Sequence, residues 1–352
     1  SFEVDRDPRL DGTIAFPAYE GATFPIVSVV AHSSPSADNS GERDVTSAFI
    51  EFALPLHDTL DVQFAMRYED FSDVQSTTVG KLAVGWRPLD NFLVRGSWSE
   101  GFRAPNLVTI NEALVVRSNT RDDSVCKYVE DVLDLPNTGD TALDTDCDPS
   151  VQRRASGSKD LKPEESTNIS AGFVWDVTES LTFTLDFWNI EKESTIGLFG
   201  ETNHSTYDLL LRLRAGTDNC DQVFNPAVGR DDIDEDDAPS YLAAGICPAG
   251  QYDYTDDTYT NLATRTIAGH DIGIYFEEET NIGTFNFRFV GSYYDKYSQD
   301  GDTGLALAVD EAIKSGELPS YMSLRGYGDL LLREGNMDVK YNAYLRWRNE
   351  AW

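Results

Sequence analysis

Residues 60–68 read LDVQFAMRY, a stretch in which apolar and polar positions alternate with a period of two. The even positions are all apolar or aromatic, and they are Leu60, Val62, Phe64, Met66 and Tyr68. The odd positions between them are polar, charged or small. Successive side chains of a β-strand point to opposite faces, so this stretch predicts a strand with one apolar and one polar face.

The same alternation recurs along the chain and predicts ten strands arranged in five hairpins. Each hairpin closes with a turn of a few residues, whereas all but one of the connections between hairpins are long. The predicted strands cover residues 45–54, 60–70, 77–87, 92–98, 166–176, 181–190, 261–278, 283–297, 321–332 and 337–348.

Four long segments precede or separate these hairpins and carry the cysteines and most of the acidic residues. They cover about residues 1–44, 100–162, 193–259 and 298–317, with short helices predicted at 207–214 and 305–314. Soluble β-sandwiches rarely place the short turns at one end and the long loops at the other, whereas outer-membrane barrels do. The sequence therefore predicts an all-β fold, an antiparallel transmembrane β-barrel with short periplasmic turns and long extracellular loops.

The composition agrees with this fold class and excludes several others. The 352 residues are 40% hydrophobic and 25% charged, which is too apolar for a disordered chain. The mean hydropathy is −0.38, and no uncharged apolar run approaches the ~18 residues of a transmembrane helix. The net charge of −33 makes nucleic acid a poor partner.

The sequence predicts no enzyme, no metal and no cofactor. It contains none of the motifs of a nucleophile elbow, a zinc protease, a phosphate-binding loop or a dinucleotide-binding turn. The acidic run 231–237 lacks the glycine and the terminal glutamate of an EF-hand loop. We interpret this run as a solvated loop and leave calcium binding as an open alternative.

The four cysteines fall as two pairs inside two of the long segments. None has the close spacing of a zinc site, and no histidine lies near enough in sequence to complete one. We therefore predict two loop disulfides in an oxidising compartment, Cys126–Cys147 and Cys220–Cys247. The alternative is four free thiols.

The polar faces of the strands would line the lumen of such a barrel, because a wide lumen is wet or filled by a polar domain. The residues that we expect to face the lumen are Arg67, Arg95, Asp186, Trp188 and Arg288. In a β-sandwich the same side chains would face solvent.

Two stretches carry a family resemblance, GFRAPNL at 101–107 and DLKPEEST at 160–167. Shorter matches at 41–45, 67–70, 81–88 and 318–319 accompany them. Together they resemble the barrel of TonB-dependent outer-membrane receptors, over the strands and short turns more than over the long loops. The motif residues are Gly101, Phe102, Arg103, Pro105, Asp160, Leu161, Pro163 and Glu164.

The resemblance implies a 22-stranded barrel whose lumen is filled by an N-terminal plug. The chain shows neither that plug nor its energy-coupling box, so we expect residues 1–352 to be the middle and late part of a receptor barrel. Ten strands with two open edges should not be stable alone. We therefore expect partner strands from the same polypeptide.

The resemblance also implies an outer-membrane receptor of a Gram-negative bacterium, driven by TonB and taking up a scarce nutrient. The nutrient would be a siderophore, a corrinoid or an oligosaccharide, bound by loop and upper-lumen groups such as Arg103, Trp188 and Tyr294. The implied partners are this ligand, the TonB complex acting through the plug, and outer-membrane lipid with lipopolysaccharide. A surface lipoprotein is a further candidate partner.

Two alternatives remain open on the sequence. The first is a barrel of the same kind that binds at the cell surface, for example an adhesin, without transport. The second is a soluble carbohydrate-active β protein, in which Phe64, Leu185 and Phe287 would pack beneath a second β layer.

Overall fold

The structure is a computed structural model that describes residues 2–4, 39–135, 143–301, 304–333 and 335–349. Most of the segment 1–44, which the sequence predicts as a loop, lies outside these residues. The strands are β1 Phe2–Val4, β2 Asn39–Gly41, β3 Val45–His57, β4 Leu60–Phe71, β5 Thr77–Leu89, β6 Phe92–Arg103, β7 Val115–Thr120, β8 Ser150–Ala155, β9 Glu164–Thr178, β10 Leu181–Glu193, β11 Ile196–Gly197, β12 Val228–Arg230, β13 Tyr252–Asp256, β14 Thr260–Asn261, β15 Arg265–Thr280, β16 Gly283–Gln299, β17 Gly328–Asp329 and β18 Val339–Arg348. The helices are α1 Leu107–Asn111, α2 Ser124–Val132, α3 Glu201–Ala215, α4 Ala238–Ala243 and α5 Gly304–Ser315.

One large antiparallel sheet organises the chain. Its strand order is β17-β16-β15-β10-β9-β6-β5-β4-β3, and β18 pairs with β16 beside β17. Four hairpins close with two-residue turns at 58–59, 90–91, 179–180 and 281–282, all at one end of the sheet. The connection 72–76 and the three long segments lie at the opposite end. This separation of short turns from long loops confirms the all-β, antiparallel organisation that the sequence predicts.

The predicted strand at 321–332 is wrong. This part of the chain forms a 3-10 turn at Ser320–Met322 and then only the two-residue β17. Gly326, Gly328 and Leu332 have positive φ values of +78°, +78° and +59°, so the chain bends three times within the predicted strand. Met322 and Leu324, two apolar residues of this stretch, are buried among the loops.

The described parts of segments 104–163, 194–264 and 300–338 pack against one another, and we call them the loop module. It contains the helices and a four-stranded sheet of order β12-β13-β8-β7. Helices α3 and α5 include the predicted helices 207–214 and 305–314 and confirm them. The core of the loop module is formed mainly by Val125, Val129, Leu209, Leu210, Tyr241, Ile246, Val309 and Leu318. None of the helices among the described residues is long and apolar enough to cross a membrane.

The large sheet has the opposite arrangement, because its apolar side is uncovered. Nine strands of the sheet have ten or more residues, and we call them the long strands: β3, β4, β5, β6, β9, β10, β15, β16 and β18. Every buried apolar side chain in the described part of the chain lies outside them. One row of the apolar side runs in register across five strands and is 39–51% exposed: Phe52, Phe64, Leu82, Trp98 and Ile169. Leu185 and Phe287 are likewise not buried. We call this side the outer face and the opposite side the polar wall.

The outer face generates a direct prediction for the complete protein in a bilayer. Val84 lies on the outer face of β5 and is 38% exposed, whereas Ala83 lies on the polar wall. Val84→Arg should destabilise the barrel by about 2–4 kcal/mol, because a charge would enter hydrocarbon. Ala83→Arg should change little. Urea unfolding in lipid vesicles measures both, and equal effects would contradict the assignment of the two faces.

Candidate functional site

An ion pair crosses the centre of the polar wall. Arg95 on β6 and Asp186 on β10 are separated by β9, where Gly172 occupies the register position between them. The Arg95 Nε donates to Asp186 Oδ1 at 2.8 Å, and a second guanidinium nitrogen donates to the other oxygen. A Cβ at Gly172 would lie 2.3 Å from Asp186 Oδ1 and 2.3 Å from the Leu185 carbonyl oxygen. The absence of a side chain at Gly172 therefore makes room for the pair.

An aromatic pair also lies across a glycine, two residues further along β10 toward the loops. Trp188 on β10 and Tyr294 on β16 meet edge to face, with ring centroids 5.5 Å apart and planes at 81°. Gly269 lies between them on β15, and a Cβ there would be 2.9 Å from Trp188 Cζ2. The indole therefore lies across the glycine. Two of the three residues that we expect to contact ligand are thus in contact.

The remaining predicted lumen residues also lie on the polar wall. Arg67 forms an ion pair with Glu69 on the same strand, and its side chain is 57% exposed. The Arg288 guanidinium lies 5.5 Å from the ring centroid of Tyr275 on the neighbouring strand. The structure therefore brings all five predicted residues to one side of the sheet; that this side faces a lumen stays a prediction.

The strands meet the loop module at a buried carboxylate, Glu164, whose side chain is 1% exposed. It accepts hydrogen bonds from Arg103 Nε and from the Ile196 N–H at 2.7 Å. Lys192 Nζ lies 3.0 Å from the same carboxylate. These contacts join the ends of β6, β9 and β10 to β11. Arg103, which we expect to contact ligand, is thus held by Glu164 at the base of the loops.

Most of the other motif residues are buried or packed against neighbouring residues. A Cβ at Gly101 would lie 2.9 Å from Ser166 Oγ, and Phe102 packs edge-on against Phe71 with ring centroids 5.9 Å apart. Three further motif residues are buried and one is exposed. The buried residues are Pro105, Leu161 and Pro163, and the exposed residue is Asp160. The two motif stretches therefore build the junction between β6 and β9 where the first long loop leaves the sheet.

Both predicted disulfides are formed, Cys126–Cys147 and Cys220–Cys247. The first joins α2 to the chain just before β8, and both of its cysteines are buried. The second ties the segment after α3 to the buried Cys247. These bonds restrict the chain within two loops that have no long strands of their own.

A charge network lies at the centre of the loop module. The two terminal nitrogens of Arg230 donate to the Asp123 carboxylate at 2.6 and 2.8 Å, and its Nε donates to Asp208 at 3.1 Å. Arg212 donates to the same Asp208 oxygen at 3.1 Å. The side chains of Asp123, Asp208 and Arg230 are at most 8% exposed. The network therefore links α3, β12 and the start of α2 inside the protein.

The network determines the protonation state of its members. Burial raises the pKa of Asp123, but the Arg230 charge and the hydrogen bonds from Arg230, Ser205 and the Val125 N–H outweigh it, so the pKa lies below its ordinary value. Burial likewise lowers the pKa of Arg230, and the two carboxylates reverse this effect and raise it. The pair is therefore ionised at neutral pH. Sequence reasoning missed it, since Asp123 and Arg230 are 107 residues apart.

The loop module also carries a cavity of about 530 Å³ where its three segments meet. The lining residues are Asp122, Ser124, Lys127, Glu130, Asp131, Asp134, Leu135, Thr202, Thr206, Tyr321, Met322, Ser323 and Arg325. Its cations are already engaged, since Arg325 pairs with Asp122, and Lys127 pairs with Asp148 at 2.8 Å. The Tyr321 hydroxyl donates to Asp131 at 2.5 Å. The cavity therefore offers mainly carboxylates and hydroxyls.

Three exposed aspartates lie close together at the acidic run. Carboxylate oxygens of Asp144, Asp234 and Asp236 lie within 4.8 Å of one another. Asp237, the last residue of the run, is instead buried and accepts from the Asp144 and Thr145 N–H groups at 2.8 Å each. The run therefore contains one structural carboxylate beside exposed ones.

The buried network predicts a pH-dependent loss of stability in the loop module. Asp123→Asn should destabilise it by about 3–5 kcal/mol at neutral pH, because Arg230 loses a buried counter-charge. Since the folded pKa of Asp123 is depressed, its contribution is present above about pH 4 and is lost as the pH falls through the folded value. Protease resistance in urea, followed from neutral pH to about pH 3, should fall more steeply in the wild type than in the variant, because other carboxyl groups with lowered pKa values remain in both.

The control for this experiment is Asp148→Asn. Asp148 also pairs with a cation, Lys127, but its side chain is 49% exposed, so the change should cost less than about 1 kcal/mol. An equal loss in both variants would contradict a special role for the buried network.

The glycine beneath the ion pair gives a second prediction. Gly172→Ala should destabilise the sheet by about 1–3 kcal/mol, because the new methyl group would overlap Asp186 and the Leu185 carbonyl. Gly80→Ala is the matched control, since a Cβ there would meet its nearest neighbour, Trp98, at 3.5 Å. Unfolding of both variants in vesicles tests this, and a neutral Gly172→Ala would show that the strands need no open position there.

The sequence also matches a known protein family. The family model described as "TonB dependent receptor-like, beta-barrel" matches residues 5–234. A search of the curated proteins finds no match.

The solved structures to which the chain is similar include siderophore receptors. The siderophore receptor PirA from Acinetobacter baumannii is 13% identical, with 90% of this chain and 40% of that chain covered and a TM-score of 0.45. PirA from Pseudomonas aeruginosa is 11% identical, with 72% and 34% covered and a TM-score of 0.41. A mutant of the ferric enterobactin receptor PfeA from P. aeruginosa is 12% identical, with 79% and 30% covered and a TM-score of 0.47.

The chain thus spans 30–40% of the length of these structures. The family model, in contrast, matches more than half of the chain and confirms the resemblance carried by the two motif stretches. The chain belongs to the TonB-dependent receptor family, and the β-barrel model of that family matches its residues 5–234.

Proposed function

We propose that this chain is part of an outer-membrane receptor that takes up a scarce nutrient by TonB-coupled active transport. The family is one of outer-membrane proteins of Gram-negative bacteria, and its members are receptors and transporters rather than enzymes. The observation that carries the proposal is the uncovered outer face of a sheet whose opposite side is polar. In water such a face would be a large aggregation-prone surface, whereas in a bilayer it contacts hydrocarbon.

The polar wall would line the lumen in this proposal. Two of its large side chains, Arg95 and Trp188, lie across Gly172 and Gly269. A wall of this kind leaves room for a plug and for a ligand that passes it. The residues of 1–352 would then form a partial barrel domain, completed by other strands of the same polypeptide.

The loop module would be the extracellular part that captures the nutrient. It lies at the end of the sheet opposite the two-residue turns, and its own core and disulfides hold it in one shape. The ligand would be a siderophore, a corrinoid or an oligosaccharide, and TonB would act through the plug. Outer-membrane lipid with lipopolysaccharide would surround the outer face, and a surface lipoprotein would be a further partner.

Uptake by living cells tests the proposal. The whole receptor, expressed in a Gram-negative host, should accumulate one of three labelled probes: a ferric siderophore, cyanocobalamin or a neutral hexasaccharide. Accumulation should stop when TonB is deleted, because the proton gradient reaches the receptor only through TonB. Accumulation that continues without TonB would contradict active transport.

A matched pair of deletions tests the role of the loop module. Replacing residues 104–163 and 194–264 with short turns keeps all nine long strands. Because the nutrient would be bound by loop and upper-lumen groups together, this change should weaken binding strongly while the barrel stays in the membrane. Shortening the connection 72–76 leaves the loop module intact and should preserve binding. Unchanged affinity after removal of the loop module would contradict loop capture.

A further inference from the structure

An apolar patch interrupts the polar wall at the end nearest the loop module. It consists of Trp188 and Ile190 on β10, Ile267 on β15, and Tyr294 and Tyr297 on β16. Ile190 pairs with Ile267, which pairs with Tyr297, so the three form one row across the strands. Trp188 and Tyr294 form the next row across Gly269. We call these five residues the upper patch.

The upper patch combines aromatic faces with unused hydrogen-bond donors. Its five side chains are half-buried, except Ile190, which is 37% exposed. Within the described residues, neither the Trp188 indole N–H nor the hydroxyls of Tyr294 and Tyr297 hydrogen-bond to a protein group. Polar tips of aromatic side chains normally find a partner when they are buried. Here they remain available to a ligand that lies on the rings.

The charges around the upper patch are nearly balanced. Arg95 is paired with Asp186, and Lys192, 3.0 Å from Glu164, shares that carboxylate with Arg103. Arg265 donates to the Gln299 side-chain oxygen at 2.9 Å and lies 6.0 Å from the Tyr297 ring centroid. Asp271, two residues from Gly269 on the same side of β15, adds a carboxylate. A multiply charged anion would therefore meet one cation without a carboxylate partner and a nearby negative charge.

We propose that the upper patch binds an uncharged, hydroxyl-bearing ring, and that the nutrient is therefore an oligosaccharide. The C–H faces of a sugar ring would lie on Trp188 and Tyr294, while the three free donors reach its hydroxyls. Aromatic surfaces with a few placed polar groups are the usual composition of small-molecule sites. This inference rests on the proposed uptake function, and it selects one of the three ligand classes.

Binding to the purified whole receptor tests the inference. The probes are neutral hexasaccharides of α-glucose, β-glucose, mannose and xylose, with an iron(III) tris-catecholate complex and cyanocobalamin as comparators. Calorimetry should show saturable binding of at least one hexasaccharide and of neither comparator. Trp188→Leu should weaken this binding about tenfold, because an aromatic contact is lost. Tyr294→Phe should weaken it by a smaller factor, because it removes only a hydroxyl.

The matched control is Trp98→Leu, since Trp98 lies on the outer face and is 39% exposed there. It should leave the dissociation constant unchanged. The heat-dependent shift in electrophoretic mobility reports folding of each variant. Trp188→Phe keeps an aromatic face and should recover most of the affinity, which retains a test if Trp188→Leu does not fold.

Two results would overturn the inference: binding of no hexasaccharide by the wild type, or comparator binding that Trp188→Leu weakens. These outcomes differ from failure of the proposed function. Hexasaccharide binding that depends on Trp188, together with accumulation that persists without TonB, would support the upper patch and refute active transport. TonB-dependent accumulation of the iron complex alone would support transport and refute the sugar assignment.

Discussion

The structure depends on one constraint, which is that the large sheet has an apolar side with no protein covering it. Rows such as Phe52, Phe64, Leu82 and Trp98 run in register across the strands and stay exposed. A sheet normally buries such a side against a second layer. When the second layer is missing, the surrounding medium must take its place, and hydrocarbon is the medium that fits. The antiparallel ladder also satisfies backbone groups from strand to strand, as a spanning segment requires.

The loop module follows the opposite rule and folds as a water-soluble protein does. Its apolar side chains are buried, its two disulfides are internal, and its central charges are paired. Glu164 lies where the two parts meet and contacts groups from three strands, β6, β10 and β11. The chain therefore combines a sheet that has an uncovered apolar side with a loop module that has a buried apolar core. Glu164 joins these two parts.

Most of the large sheet could be predicted from the alternation of apolar and polar residues. Successive side chains of each strand lie on opposite sides of a single layer, and here one side is apolar and the other polar. The same reasoning failed at 321–332, where Met322 and Leu324 are apolar because they enter the core of the loop module. The cysteine pairs were predictable because each pair lies within one segment. The Asp123–Arg230 pair was not, since its partners come from different segments and no local pattern connects them.

The candidate site was predictable in outline and not in detail. Alternation placed Trp188 on the polar side, but the contact with Tyr294 depends on Gly269 of an intervening strand. The motif residues Arg103 and Glu164, which looked functional, bind each other at the base of the loops. Their contacts are structural, whereas the residues of the upper patch belong to no motif in the sequence.

The central claim is that the outer face touches lipid and the polar wall does not. Spin labels placed singly at positions 60–68 of the whole receptor in vesicles measure this directly, through collision with oxygen and with a water-soluble nickel chelate. The account predicts that even positions collide mainly with oxygen, which concentrates in hydrocarbon, and that odd positions collide mainly with the chelate. A uniform response along the strand, or the reversed alternation, would contradict it.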